Sequence, residues 1–335
     1  MNAPLKAPFP WFGGKASVAH EVWAAIGDVA NYIEPFAGSA AVLLARPGRP
    51  KTETINDADA MVANFWRALA ADPDAVENHA NWPVNEVDLE ARHQWLVQQR
   101  ASLRGLLGDP EAYDAKIAGW WAWGTCCWIG SGWCSGEGPW TYEDGTWINR
   151  KSVHLGNAGR GINRQGVHLG DAGQGVHRST GGYLHALAAR LRHIRVACGD
   201  FERVLGDSVT WRHGVTGVFL DPPYAAERTD VYAHDCHDVS ARARAWAAEA
   251  GKRNDMRIVL AGYGTEHTEL EGIGWRVHAW KARGGFGSQG RGRGRDNASA
   301  ERLWFSPACL AHDQGQLFGN AADAGPLPVE LDAAE

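Results

Sequence analysis

Long apolar runs are missing from this chain of 335 residues, none approaching the roughly 20 residues needed to cross a bilayer, so no membrane-embedded protein is expected. The first fifteen residues, "MNAPLKAPFPWFGGK", also lack the apolar centre of a secretory signal. Cysteine is sparse: Cys126, Cys127, Cys134, Cys198, Cys236 and Cys309 form no CxxC pair and are too few for a disulfide scaffold. Reduced thiols in a cytoplasm are the expectation. An excess of positive charge is absent too, the formal net charge being -6, which by itself argues against a nucleic-acid partner. The charge is unevenly placed, however. From Ala311 onward there are five acids and no Lys or Arg, so the remainder is close to neutral. Between Arg150 and Arg195 eight basic residues face one acid, Asp171. Such a local basic surface suits either phosphate binding or a solvated loop.

What is present is a soluble globular composition, 44% apolar and 21% charged, long enough for one large α/β core and a smaller appended region. Short β-rich runs occur as "NYIEPFAG", "TETIND", "IRVACGDF", "GVFLDPPY", "RIVLAGY", "WRVHAWKA" and "ERLWFSP", alternating with helical segments at both ends of the chain. This alternation predicts βαβ units around a mostly parallel sheet. Between the second and third runs the character changes. Residues 86–129 have helical periodicity through Leu89, Trp95, Leu96, Leu103 and Leu107, followed by Trp120, Trp121, Trp123 and Trp128. A Gly-rich stretch with little regular pattern continues to Gly182. It contains a duplication, "VHLGNAGRGINR" at 153–164 and "VHLGDAGQGVHR" at 167–178, whose glycine content predicts a loop that orders only on binding. Seven of the seventeen tryptophans fall between Trp120 and Trp147; most are expected to form the core of this insertion, one or two to meet a ligand.

Two stretches carry chemistry. In "YIEPFAGSAAV", residues 32–42, a strand runs through a turn at Gly38 into a helix, a place where a ligand can approach backbone amides. Nineteen residues later Asp57 closes the next strand, suited either to ribose hydroxyls or to capping a helix. In "GVFLDPPYAAER", residues 217–228, two prolines make a rigid exit from a strand and hold an acid and a tyrosine at fixed separation.

In order along the chain stand "PWFGGK" at 10–15, "EPFAGSA" at 34–40, "NDADAMVANFW" at 56–66, "CGDF" at 198–201 and "DPPY" at 221–224. With these motifs the chain resembles the Dam-like (alpha-group) N6-adenine-specific DNA methyltransferases of bacteria and phages. The resemblance covers residues 8–66 and 183–307. It implies a Rossmann-like methyltransferase fold, a mostly parallel twisted sheet with an antiparallel last strand, interrupted by a helical, loop-rich target-recognition insertion. The parts would be residues 1–72 and 183–310 for the catalytic domain, 73–182 for the insertion and 311–335 for a disordered acidic tail. S-adenosylmethionine is the implied cofactor and DNA the implied partner, in a bacterial cytoplasm or phage-infected host. No particular oligomeric state follows.

By this similarity Asp221 and the Pro222 carbonyl accept the hydrogens of the target amine, and Tyr224 stacks on a flipped-out base. Phe36 and Gly38 would line the methionine portion of the cofactor, Asp57 its ribose, and Asp200 with Phe201 its adenine, with Glu34 a further cofactor-binding residue. Trp11 and Lys15 would lie over the active site, although "GGK" also reads as a helix-start turn with an exposed lysine. Ala40 stands where many relatives have a second glycine. Arg160, Arg164 and Arg178 of the duplicated loop and Arg291, Arg293 and Arg295 of a second Gly-rich loop are candidate DNA contacts. "QGQLF" resembles a sliding-clamp docking peptide, with Gln314, Leu317 and Phe318 as its contacts. Neither "HDCHD" nor the first three cysteines has structural-zinc spacing, and no metal is expected. A cytosine-N4 or RNA amine methyltransferase, or an inactive DNA-binding relative, remain the alternatives, with the acid at 221 favouring adenine.

Overall fold

A computed structural model describes residues 5–11, 15–48, 51–84, 86–109, 111–128, 133–134, 140–143, 146–149, 181–223, 237–280 and 301–311. The strands are β1 (Asn31–Glu34), β2 (Thr52–Asp57), β3 (Trp140–Glu143), β4 (Thr146–Asn149), β5 (Ile194–Cys198), β6 (Thr216–Leu220), β7 (Met256–Tyr263), β8 (Arg276–Ala279) and β9 (Glu301–Phe305). The helices are α1 (Ala19–Ile26), α2 (Ala41–Leu44), α3 (Ala60–Ala71), α4 (Pro73–Ala80), α5 (Glu86–Leu106), α6 (Ala115–Cys127), α7 (Gly181–Leu191) and α8 (His237–Ala250). All seven β-rich runs of the sequence become strands of one sheet, in the order β5-β2-β1-β6-β7-β9-β8. Neighbours are parallel except where β9 runs antiparallel to both β7 and β8. This is the α/β fold with an antiparallel last strand.

The sheet buries both faces, so its central strands are apolar runs rather than alternating ones. All five residues of β6 are buried. Along β7, Val259 and Ala261 face a core shared with α1 and α3, while Ile258 and Leu260 face another shared with α8. The strand order reverses between β1 and β6, each of which pairs in parallel with the other and then leads away in opposite directions. At such a reversal the loops leaving the carboxyl ends of the two strands diverge and leave a crevice, where open α/β sheets bind ligands.

The helical insertion is continuous with the sheet's core rather than a separate body. Phe9 packs on Phe65 of α3 and Trp121 of α6 with ring centroids 5.1 and 4.8 Å apart. Trp121 and Trp123 are buried, as the Gly-rich composition around them required. Arg100 of α5 clasps Asp59, the N-cap of α3, through two bonds of 3.1 and 2.9 Å. The β3–β4 hairpin is an element that the Gly-rich reading of this stretch did not anticipate. Its signal was in the sequence: alternating "WTYE" and "TWIN" around Asp-Gly, a pair favoured in tight hairpins.

Candidate active site

The crevice is built first by the turn after β1. Gly38 has φ 46°, in the left-handed region, and its N–H donates to Asp57 Oδ2 at 3.0 Å. Asp57 Oδ1 accepts from Asp59 N–H at 2.9 Å, while Asp59, not Asp57, caps α3 by accepting from Met61 N–H. The helix-cap alternative for Asp57 is thereby excluded, and its half-buried carboxylate braces the Gly38 turn. Burial, with the like charge of Asp59, pushes the Asp57 carboxyl up to about 6 against backbone N–H donors that favour the charged form. Ala40 follows with φ 52° and is buried, so the chain places an alanine in a conformation glycine adopts more cheaply. The short α2 nevertheless starts there.

Glu34 at the end of β1 is buried and accepts from the Tyr32 hydroxyl at 2.7 Å. Burial raises its carboxyl to about 8, with the negative charges of Glu53 and Asp221 acting in the same direction. Phe36 stacks obliquely on Phe201, the centroids 5.0 Å apart. Asp200 caps the short turn Phe201–Val204 through Glu202 N–H, and its carboxylate is also gripped by Arg242 at 3.0 and 3.1 Å. The Arg242 guanidinium lies 5.0 Å from the Phe201 ring centre.

Asp221 and Pro222 leave the end of β6 beside this turn, Pro222 buried and Asp221 with 19% of its side chain exposed. Lys15 Nζ lies 3.0 Å from Asp221 Oδ1 and 3.7 Å from Glu301 Oε2. The lysine side chain is 2% exposed, which overturns the reading of "GGK" as a turn with an exposed lysine. Trp11 packs on Gly38 so closely that a β-carbon there would meet its indole. The close approach for which Gly38 is needed is therefore made by the chain's own tryptophan.

Asp221, Pro222, Lys15, Glu34, Gly38 and Trp11 thus gather around the carboxyl ends of β1 and β6, with Phe36, Asp57, Asp200 and Phe201 along the loops after β1, β2 and β5. Tyr224, Arg160, Arg164, Arg178, Arg291, Arg293, Arg295, Gln314, Leu317 and Phe318 lie outside the described residues. Three contributors escaped the sequence analysis. Asn56 donates from Nδ2 to both the Pro35 and Gly199 carbonyls at 3.0 Å, tying the loops after β1 and β5 together. Arg242 is hidden in an ordinary amphipathic helix. Glu301 is the acid that opens β9 ahead of Arg302 and three apolar residues, and it gave no distinct signal in the sequence.

Residues 11–91 match the model of the D12 class N6 adenine-specific DNA methyltransferase family. The match covers about a quarter of the chain, the part that carries β1, β2 and α3. The match spans Trp11, Lys15, Glu34, Phe36, Gly38 and Asp57, and ends before Asp221. No curated protein matches the chain. The matched stretch is similar to the D12 class, which methylates adenine in DNA. No helix among the described residues is long and apolar enough to cross a membrane.

The crevice residues fit the cofactor that this chemistry uses. Asp57 and Asp200 retain carboxylate lone pairs suited to sugar and base donors, each oxygen offering two acceptor sites. The Phe36–Phe201 pair offers an aromatic surface, and the part-exposed Asp221 carboxylate suits a positively charged donor group.

Proposed function

We propose that the protein transfers a methyl group from S-adenosylmethionine to the exocyclic N6 amine of an adenine turned out of the DNA stack. The observation that carries this reading is the position of Asp221 and Pro222: an acid and a proline carbonyl at the end of β6, beside the β1 turn that bears the family match.

The cofactor supplies an electrophilic methyl group on a sulfonium. The amine nitrogen of adenine is a weak nucleophile because its lone pair is delocalised into the ring. Asp221 and the Pro222 carbonyl each accept one amine hydrogen, which draws the nitrogen toward tetrahedral geometry and aims its lone pair outward. Fixed acceptors contribute to rate by holding reactants in line rather than by covalent chemistry. After transfer the nitrogen is cationic, and Asp221, part-exposed at the crevice, is placed to take the surplus proton and release it to water. Phe36, Gly38, Asp57, Asp200 and Phe201 would hold the cofactor along the strand ends, with Glu34 beneath and Trp11 packed on the Gly38 turn. Tyr224, two residues beyond Pro222, would stack on the extruded base, which offsets about 1 to 3 kcal/mol of the unstacking cost.

Residues 73–182 would read the DNA sequence, with the arginines of 150–180 and 281–300 on its phosphates. Incubation with labelled S-adenosylmethionine and unmethylated DNA, followed by digestion to nucleosides, tests the proposal. Label in N6-methyl-2'-deoxyadenosine is expected. Label confined to cytosine, or accepted only by RNA, would replace it with the neighbouring amine chemistry.

A further inference from the structure

Lys15 already holds one oxygen of the carboxylate that the proposed reaction needs as acceptor. Its ammonium sits 3.0 Å from Asp221 Oδ1, buried too deeply to turn to water. When the target amine donates to Asp221, and more so when that nitrogen becomes cationic, two positive groups compete for one carboxylate. A second carboxylate is in place. Glu301 has 5% of its side chain exposed, and its Oε2 has no hydrogen-bond partner among the described residues, yet it lies 3.7 Å from the same ammonium. A buried carboxylate oxygen left without a donor is costly and calls for a partner. Glu301 is fixed there by the backbone: it stands opposite Tyr263 in the antiparallel β7–β9 pair, and its carbonyl accepts from Trp280 N–H. Burial pushes the Glu301 carboxyl up, the Lys15 charge opposes that rise, and Asp221 adds to it.

We propose that Glu301 is a positioning residue that receives the Lys15 ammonium when Asp221 engages the target amine, so that Asp221 acts as a full carboxylate acceptor while the buried cation keeps a counter-charge. This rests on the methyltransferase reading for its catalytic consequence, though not for the movement itself. The displacement is small: shortening the Lys15 Nζ to Glu301 Oε2 separation from 3.7 Å to an ordinary charge-assisted distance of about 2.8 Å requires only a side-chain swing. No bond is made or broken by Lys15, which remains protonated and moves as a counter-ion.

Two measurements test it. A crystal structure of Asp221→Asn, which removes the competing charge, should show Lys15 Nζ within about 3 Å of Glu301. Lys15 remaining beside the substituted amide, or turning away from both residues, would overturn the proposal whatever the protein methylates. In single-turnover methyl transfer, Glu301→Gln should lower the rate at least about tenfold with little change in DNA or cofactor affinity, as expected for an interaction made in the transition state. The same substitution in a Lys15→Met background should cost less than about twofold, because its effect runs through the lysine. Full activity of Glu301→Gln in an active wild-type background, or a loss that simply multiplies with that of Lys15→Met, would sink the proposal and leave the methyltransferase reading standing. An inactive wild type paired with the expected crystallographic shift would do the reverse.

Discussion

The Trp11 indole packs on the backbone of Gly38, where φ is 46° and where a β-carbon would collide with the ring at Nε1. Gly38→Ala therefore combines backbone strain of about 1 kcal/mol with a clash against a ring that is itself held by Phe9 and Trp121. A loss of about 2 to 3 kcal/mol in chemical denaturation is expected. Part of it should return in the Trp11→Ala, Gly38→Ala pair, because the clash is then absent. Strict additivity would contradict the contact as the reason for the glycine.

Glu34 yields a pH prediction. Its folded-state carboxyl titrates at about 8, against an ordinary value of 4.5, because burial disfavours the charge. The folded protein thus holds this proton longer than the unfolded chain, so stability contributed by the neutral acid is present at low pH and is lost as pH rises from about 4.5 through about 8. At pH 7 the residue is largely neutral. Glu34→Gln, which mimics the neutral acid without titrating, should leave stability near pH 4 within about 1 kcal/mol of wild type, raise it at pH 7, and flatten the loss between about pH 4.5 and 8, read from urea midpoints across pH. A large destabilisation at pH 7 with an unchanged pH slope would show Glu34 to be ionised in the fold.

At the other end of β2, Glu53 is fully buried and is held by Arg46 at 3.1 Å and by Arg190 at 2.5 and 2.8 Å. Its removal strands two guanidinium groups, one of them on α7 beyond the insertion. Glu53→Ala should cost about 3 to 5 kcal/mol in denaturation. Methyl transfer per folded molecule should be unchanged, since Glu53 stands at the opposite end of β2 from the crevice.

Arg291, Arg293 and Arg295 provide a salt-dependence test. Each arginine that meets a phosphate adds about 0.9 to the slope of log affinity against log salt. Replacing all three by Gln should lower that slope by about 2 to 3 and weaken binding similarly for all sequences. An unchanged slope would remove these arginines from the DNA interface.

Much of the fold was legible because each sheet strand announces itself locally. Runs such as "GVFLDPPY" and "RIVLAGY" combine β-branched or aromatic residues with hard stops, and a strand buried on both faces needs little else to be recognised. Order along the chain then marked the motifs at 34–40 and 221–224 as partners. Pairings made across the fold were not legible. Lys15 and Glu301 stand at opposite ends of the sequence, and only the antiparallel insertion of β9 beside β7 brings the acid under the lysine. Asn56 next to Asp57 gave no sign that it, rather than the acid, ties two loops together. Trp11 looked like a ligand residue, and its packing against Gly38 depends on φ 46°, a backbone angle that the sequence "FAGSA" permits without stating.

The central claim is that Asp221 makes the adenine amine nucleophilic. Single-turnover transfer of a labelled methyl group to adenine in DNA, by wild type and by Asp221→Ala at saturating cofactor, tests it most directly. Loss of at least about a hundredfold in rate, with cofactor affinity measured by calorimetry kept within a few fold, is predicted. Transfer by Asp221→Ala at a rate within about tenfold of wild type would contradict the account.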